Sequence, residues 1–193
     1  QWDVAVGRAA MLFTSLVEVG IELKMVNLGG GFPARYRTDV ADIDAYGDAI
    51  LKAMTHHFGN RLPAMILEPG RSLVGDSGII QTEVVLISKK SYAEHESRWV
   101  YLDIGKFGGL AETMDEAIKY RMRTPHDGGA TGPVIIAGPT CDSADILYEK
   151  AGYELPLDLK VGDKIELLST GAYTAAYSSV GFNGFAPLKT YFI

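Results

Sequence analysis

Three short segments carry side chains that can do chemistry. Gly29-Gly30-Gly31 follows an apolar run, Glu68-Pro69-Gly70-Arg71 follows another, and Gly138-Pro139-Thr140-Cys141-Asp142 follows a third. Glycines let backbone N–H groups approach a phosphate without Cβ atoms in the way, although a lone triplet reads first as an ordinary tight turn. Arg71 offers a guanidinium fork for two parallel, charge-assisted bonds to the same anion. Two neighbouring strand-to-loop connections, one glycine-rich and one bearing Arg, match the phosphate site that β/α barrels build after their last strands. Glu68 can keep a heterocyclic nitrogen protonated, because an adjacent opposite charge favours the charged ring; the alternative is a simple pair with Arg71. Cys141 sits in a polar turn, where a thiol can act as general acid toward a carbanion. The competing reading is a small buried hydrophobe or a polar turn that caps a helix at Asp145. Asp142 can attract an ammonium group.

Other residues give weaker signals. Gly171-Ala172-Tyr173 and Phe182-Asn183-Gly184-Phe185 bracket a run of small and aromatic residues. The Tyr173 hydroxyl can donate to a phosphate and Phe182 can line an apolar pocket wall, yet both types also fill ordinary β-cores. Glu112-Thr113-Met114-Asp115-Glu116 is an acidic run that suits a substrate with a distal ammonium or, more plainly, a solvated helix face. His56, His57, His95 and His126 show no metal-ligand spacing with one another or with Cys141, so no metal is expected and the histidines receive no role.

The elements that must position these residues fall into two groups. A helix over residues 3–19 ends at Gly20, a short strand over 23–28 runs into the glycine triplet, a second helix spans 40–58, and a strand over 65–67 leads into Glu68. Helix, strand, helix, strand is the rhythm of a parallel α/β unit. Two strands cannot make a stable parallel sheet alone, so further strands must pair with them. Beyond Gly75 to Gly78 the pattern changes. Strands are expected over 84–88, 99–102, 134–137, 164–168 and 188–193, separated by Gly, Pro and Asp turns, with a helix over 111–120 and a flexible loop over 127–133. That is the signature of a mainly antiparallel β-domain.

Composition limits the function classes. The 193 residues are 47% hydrophobic and 22% charged, the balance of a globular protein with a real core. The formal net charge of −6 argues against phosphate-backbone binding and so against nucleic-acid partners. No apolar run is long enough to span a bilayer. A single cysteine permits no intrachain disulfide and suits a reducing cytoplasm. The first helical pattern begins without a cap, which suggests a chain that starts mid-helix.

Gly-Gly-Gly-Phe at 29–32, Glu-Pro-Gly-Arg at 68–71, Gly-Pro-Thr-Cys-Asp-Ser-Ala-Asp at 138–145, Gly-Ala-Tyr at 171–173 and Phe-Asn-Gly-Phe at 182–185, in that order, resemble the ornithine/diaminopimelate/arginine decarboxylase family. These are pyridoxal 5'-phosphate (PLP) enzymes of the alanine-racemase-like fold. The resemblance implies an α/β plus β chain: residues 1–76 as the last part of a (β/α)8 TIM-type barrel, and residues 77–193 as a β-domain that dimerises and completes the active site. It implies that Gly29, Gly30, Gly31, Gly70, Arg71 and Tyr173 hold the PLP phosphate, that Glu68 holds the pyridine nitrogen, and that Cys141 is the proton donor. Asp142 and Phe182 would bind substrate, Asp142 in the partner's site across a two-fold homodimer interface. Asp115-Glu116 stands where eukaryotic members carry a Tyr-Asp that binds the distal amine. Cys-Asp, rather than the Cys-Glu of diaminopimelate decarboxylases, points to the ornithine branch, and Trp99 to Tyr120 resembles bacterial ornithine or lysine/ornithine decarboxylases. The implied reaction is L-ornithine to putrescine in polyamine biosynthesis, with L-lysine to cadaverine beside it. A diaminopimelate-type decarboxylase and a non-catalytic homologue that regulates by mixed dimerisation are the alternatives. The family's Schiff-base lysine and His-Xaa-Gly-Ser segment have no counterpart here, so the lysine is expected upstream of Gln1 and poor turnover is expected of these 193 residues alone.

Overall fold

The computed structural model describes residues 2–92 and 95–193, apart from the side chains of Tyr92 and His95. The chain forms two compact units, one of Gln1–Pro33 with Asp39–Leu73 and one of Ala34–Thr38 with Val74–Ile193.

In the first unit, helix α1 spans Trp2–Glu18. It stops at Gly20, whose φ of 83° lets the Ile21 N–H reach back to the Leu16 carbonyl, a glycine-terminated helix end. Strand β1 (Met25–Asn27) follows, then helix α2 (Ile43–Phe58), then strand β2 (Ala64–Ile66). The two strands pair in parallel, with Asn27 opposite Ile66. Helix α2 buries Ile50, Ala53 and Met54, spaced for one helical face. Val6 of α1 and Phe32 join them in the unit's core, and the Phe32 ring lies 5.8 Å from Trp2 and 6.1 Å from Tyr46. The strands themselves are less well covered: Met25, Met65, Ile66 and Leu67 are all exposed, as are Met11, Leu12 and Val17 of α1. A short helix, α3 (Gly70–Val74), follows the Glu68-Pro69 turn.

The second unit is a six-stranded mixed sheet. Its strands are β3 (Ile79–Tyr92), β4 (His95–Leu102), β5 (Met122–Arg123), β6 (Thr131–Ala137), β7 (Ile146–Pro156) and β8 (Lys164–Leu168). Their spatial order is β5-β8-β3-β4-β6-β7, and every pairing is antiparallel except β4 with β6. Val84, Val100, Leu102, Ile136, Leu147, Ile165 and Leu167 are buried together. In β3, Ile80, Thr82 and Val84 face inward at the strand period of two. A register shift between Val84 and Leu86 then changes the phase, so that Ile87 packs on the core. Two tyrosines tie β7 to the segment before β5. Tyr148 accepts the Tyr120 N–H and donates to the Ile118 carbonyl, while Tyr153 donates to the Tyr120 carbonyl at 2.6 Å. Burial pushes both phenols up, Tyr153 to about 12 and Tyr148 further.

Several sequence expectations need correction. The apolar run 188–193 forms no strand, pairing with none of the strands among the described residues, and Phe192 is 97% exposed; β-prone residues form a strand only against a partner. Conversely, β7 went unanticipated. Glu149-Lys150 breaks its alternation, and Gly152, at φ 63°, lies in a stretch where pairing with β6 is irregular. The segment 111–120 makes a 3-10 turn over Ala111–Glu116 rather than an α-helix, because Asp115 and Glu116 both adopt positive φ. Thr131–Pro133, read as part of a loop, opens β6. No helix among the described residues is long and apolar enough to cross a membrane.

Candidate functional site

In the first unit, the parallel pairing of β1 with β2 brings the glycine triplet beside Glu68, although 36 residues of sequence lie between Gly31 and Glu68. The Glu68 N–H donates to the Gly29 carbonyl at 2.9 Å, and the Leu28 N–H donates to Ile66. Gly29 and Gly31 have φ values of 71° and 86°, conformations that disfavour side chains. Gly30 is required for a different reason: a Cβ there would stand 2.6 Å from the Glu68 carbonyl oxygen. Asn27, which sequence reasoning passed over, joins the two strand ends. Its Nδ2 donates to Glu68 Oε1 at 2.7 Å, and its Oδ1 accepts the Gly29 N–H at 2.8 Å. The missed signal was Asn two residues before a glycine at a strand end, the pattern of an Asx turn. Glu68 is exposed, and Gly70 and Arg71 open α3 directly after it. The arrangement is a backbone cradle with one anchored carboxylate, chemistry suited to a phosphorylated ligand that carries a basic ring.

In the second unit, Cys141 is exposed and its φ is 60°. Asp142 next to it accepts the Ala144 N–H at 2.8 Å and caps the 3-10 turn Ser143–Asp145. Asp145, the last residue of this turn, is 1% exposed. Phe182 stacks on Phe107 with ring centroids 4.0 Å apart. The Asn183 amide donates to the Thr140 carbonyl at 2.8 Å. These contacts bring the 105–107, 138–145 and 182–183 segments together. A cleft of about 190 Å³ is lined by Asp103, Phe107, Thr140, Phe182 and Lys189, among others; Cys141 and Asp142 do not line it.

Tyr173, Asp115 and Glu116, the other expected site residues of this unit, do not line that cleft. Tyr173 has a φ of 54° and its ring lies 5.3 Å from Tyr177. Asp115 is exposed. Glu116 uses one oxygen to accept the N–H groups of Glu149 and Lys150, at 2.7 and 2.6 Å, which fixes the kinked segment to β7. The histidines also differ from the sequence reading. The ligand atoms of His56, His57 and Asp3 lie within 4.8 Å of one another, and His57 Nε2 is 3.0 Å from Asp3 Oδ1. Sequence spacing could not show this, because Asp3 arrives from a different helix. His126 pairs with Asp163 at 2.9 Å.

Comparison with known proteins identifies the family. The profile described as "Pyridoxal-dependent decarboxylase, C-terminal sheet domain" matches residues 17–171. Diaminopimelate decarboxylase of Staphylococcus aureus (strain COL) is 32% identical over 180 residues, covering 89% of this chain and 41% of that protein. Lysine/ornithine decarboxylase of Selenomonas ruminantium is 32% identical over 178 residues, covering 92% and 42%. The crystal structure of lysine/ornithine decarboxylase from Vibrio vulnificus complexed with cadaverine superposes with a TM-score of 0.78 at 29% identity, covering 96% of this chain and 49% of that one. The structure of SrLDC in complex with PLP and cadaverine gives the same TM-score at 31% identity, covering 96% and 47%. The chain thus spans about two-fifths of the length of the curated relatives it matches. With a family profile matched over most of its residues, the chain belongs to the pyridoxal-dependent decarboxylases and carries their C-terminal sheet domain.

Proposed function

We propose that the protein is a PLP-dependent decarboxylase of a basic amino acid, acting on L-ornithine and L-lysine to give putrescine and cadaverine. The observation that carries this reading is the joined strand ends of the first unit. A glycine triplet that excludes Cβ atoms abuts a carboxylate held by Asn27, and both features fit PLP, which has a phosphate at one end and a pyridine nitrogen in its ring. The exposed apolar residues of β1 and β2 support a longer barrel sheet, with residues 1–76 as its last part and 77–193 as the β-domain.

Bound PLP supplies an electron sink for the carbanion that loss of CO₂ leaves. This chain's residues contribute binding, orientation and a proton. The backbone N–H groups of Gly30 and Gly31, the Arg71 guanidinium and the Tyr173 hydroxyl bind the phosphate, while Gly29 and Gly70, whose N–H groups are bonded to Asn27 and Glu68, let the chain pass close to it. Glu68 keeps the ring nitrogen charged. Asp142 and Asp115 attract the substrate's ammonium groups, with Glu116 as a further carboxylate nearby in sequence, and Phe182 lines the apolar wall. After CO₂ has left, the Cys141 thiol gives its proton to the α-carbon, and the resulting thiolate recovers a proton from water. We further propose a homodimer whose β-domain places Cys141 and Asp142 in the partner's site, and a cytoplasmic location consistent with a single free cysteine.

A diaminopimelate-type substrate is the second reading, supported by a relative of that name with the same 32% identity; the Asp that follows Cys141 favours the ornithine branch. Two measurements test the proposal. PLP titration of the purified protein should saturate, and Arg71→Ala should lose that saturation. CO₂ release from ornithine, lysine and meso-diaminopimelate should favour the first two. Preference for diaminopimelate would select the second reading, and absence of saturable PLP binding by the full-length protein would refute both.

A further inference from the structure

Cys141 holds a backbone conformation that needs outside support: its φ of 60° lies in the left-handed region, which disfavours residues with a Cβ. The support comes from Asp145, which is 1% exposed. Its two oxygens divide the work. Oδ1 accepts the Lys106 N–H at 2.7 Å, and Oδ2 accepts both the Thr140 N–H at 3.2 Å and the Thr140 hydroxyl at 2.7 Å. Its backbone completes the ring: the Asp145 N–H donates to the Asp142 carbonyl at 3.0 Å, and its carbonyl accepts the Gly138 N–H at 2.8 Å. The residues on both sides of Cys141 are therefore bonded to one aspartate. The fit is tight, since a Cβ at Gly105 or at Gly138 would overlap the carboxylate. The ring also reaches the aromatic wall. The Thr140 carbonyl accepts the Asn183 amide, and Phe107, next to Lys106, stacks on Phe182.

We propose that Asp145 is a positioning residue for the Cys141 thiol, setting its place relative to the Phe107–Phe182 wall. The inference rests on the reading of Cys141 as proton donor. Three donors converge on the carboxylate, so acceptor capacity on both oxygens is what the site requires. Asparagine has nearly the same shape but turns one of those acceptors into a donor facing an N–H. Proton transfer is sensitive to misplacement of about 1 Å, so a loosened turn impairs the thiol without removing it.

The test is a double-mutant cycle in the full-length protein with PLP and its preferred substrate, accompanied by thermal melts and amide exchange of residues 138–142. Asp145→Asn should lower kcat about 10- to 100-fold, within the contribution of a general acid, with KM changed less than about 2-fold and amides 140–142 exchanging faster. In a Cys141→Ser background the same change should cost less than about 2-fold, because the group it positions is gone. Thr140→Ser, which keeps the hydroxyl, should behave as wild type, whereas Thr140→Val should lose part of kcat. If Asp145→Asn fails to fold, Thr140→Val in the two backgrounds decides the question. An equal loss of kcat in both backgrounds would overturn the proposal alone, by showing that Asp145 serves the fold. Unchanged kcat in Cys141→Ser itself would overturn the proton-donor reading, and the proposal with it.

Discussion

Asn27→Ala should separate orientation from charge in the cofactor cradle. The substitution removes two hydrogen bonds, from Nδ2 to Glu68 Oε1 at 2.7 Å and from the Gly29 N–H to Oδ1 at 2.8 Å. A hydrogen bond to an ionised partner contributes about 1.5–3 kcal/mol when shielded. Asn27 and Glu68 are exposed in this structure, and solvent screening reduces that bond to about 1 kcal/mol. The neutral bond to Gly29 adds about 0.5–1 kcal/mol. If the whole loss appears in ligand affinity, about 1.5–2 kcal/mol corresponds to about 10- to 30-fold weaker binding of PLP. Glu68→Gln is the companion variant: its amide oxygen can still accept from Asn27, but the negative charge is gone. Fluorescence-monitored PLP titrations of wild type, Asn27→Ala and Glu68→Gln measure the two effects. Both variants should weaken binding, and only Asn27→Ala should loosen the Gly29 amide in exchange experiments. Wild-type affinity in Asn27→Ala, beside a clear loss in Glu68→Gln, would show that the carboxylate needs no anchor and would refute the argument.

Two further outcomes follow from the second unit. Gly171→Ala should lower stability by about 1–3 kcal/mol, the range for overpacked sites. Its Cβ would overlap the Val74 carbonyl, and the Gly171 N–H is already bonded to Gly75 at 2.9 Å, so the backbone has little room to retreat; an unchanged urea midpoint would contradict this. Tyr153 should ionise late, because burial raises its phenol from 10.0 to about 12. The folded-state value exceeds the unfolded one, so the stabilisation is fully present below pH 10 and is lost as pH rises through about 12. Tyrosinate absorbance in Tyr153→Phe should therefore lose amplitude at the alkaline end of the titration, and loss near pH 10 instead would refute the burial argument.

How far the sequence could be read varies by element. The alternation in the first unit was legible because glycines punctuate it: α1 ends beside Gly20 and α2 at Gly59. Strand β8 was read at its full extent, since Lys164–Leu168 alternates cleanly between inward and outward residues. Strand β7 was missed, because an irregular pairing and Gly152 break the period on which pattern reading depends. The run 188–193 misled in the opposite sense: its β-branched and aromatic residues suit a strand, but strand formation depends on an available edge, which lies outside the local sequence. In the candidate site, Gly29–Gly31, Glu68 and Cys141 could be named because three successive glycines, a Glu-Pro-Gly-Arg turn and a single cysteine are specific local patterns. Asn27 and Asp145 could not. Each is an ordinary polar residue whose importance lies in which backbone groups it meets, Gly29 for one and Lys106 for the other.

The sequence by itself determined the reactive inventory and its order: a glycine triplet, a Glu-Pro-Gly-Arg turn and a Cys-Asp pair, each at the end of an apolar stretch. Local covalent chemistry suffices for that much, because glycine's freedom, proline's restriction and the reactivity of a thiol travel with the residue. Tertiary structure decided which of these groups meet and what holds them. Parallel pairing of two three-residue strands put Glu68 beside Gly29 and Gly30, and folding of the sheet put Asp145 against Lys106, 39 residues away. Those contacts arise from burial and hydrogen-bond satisfaction across long sequence separations: a buried carboxylate must find donors wherever the fold supplies them. A linear pattern carries no record of that requirement.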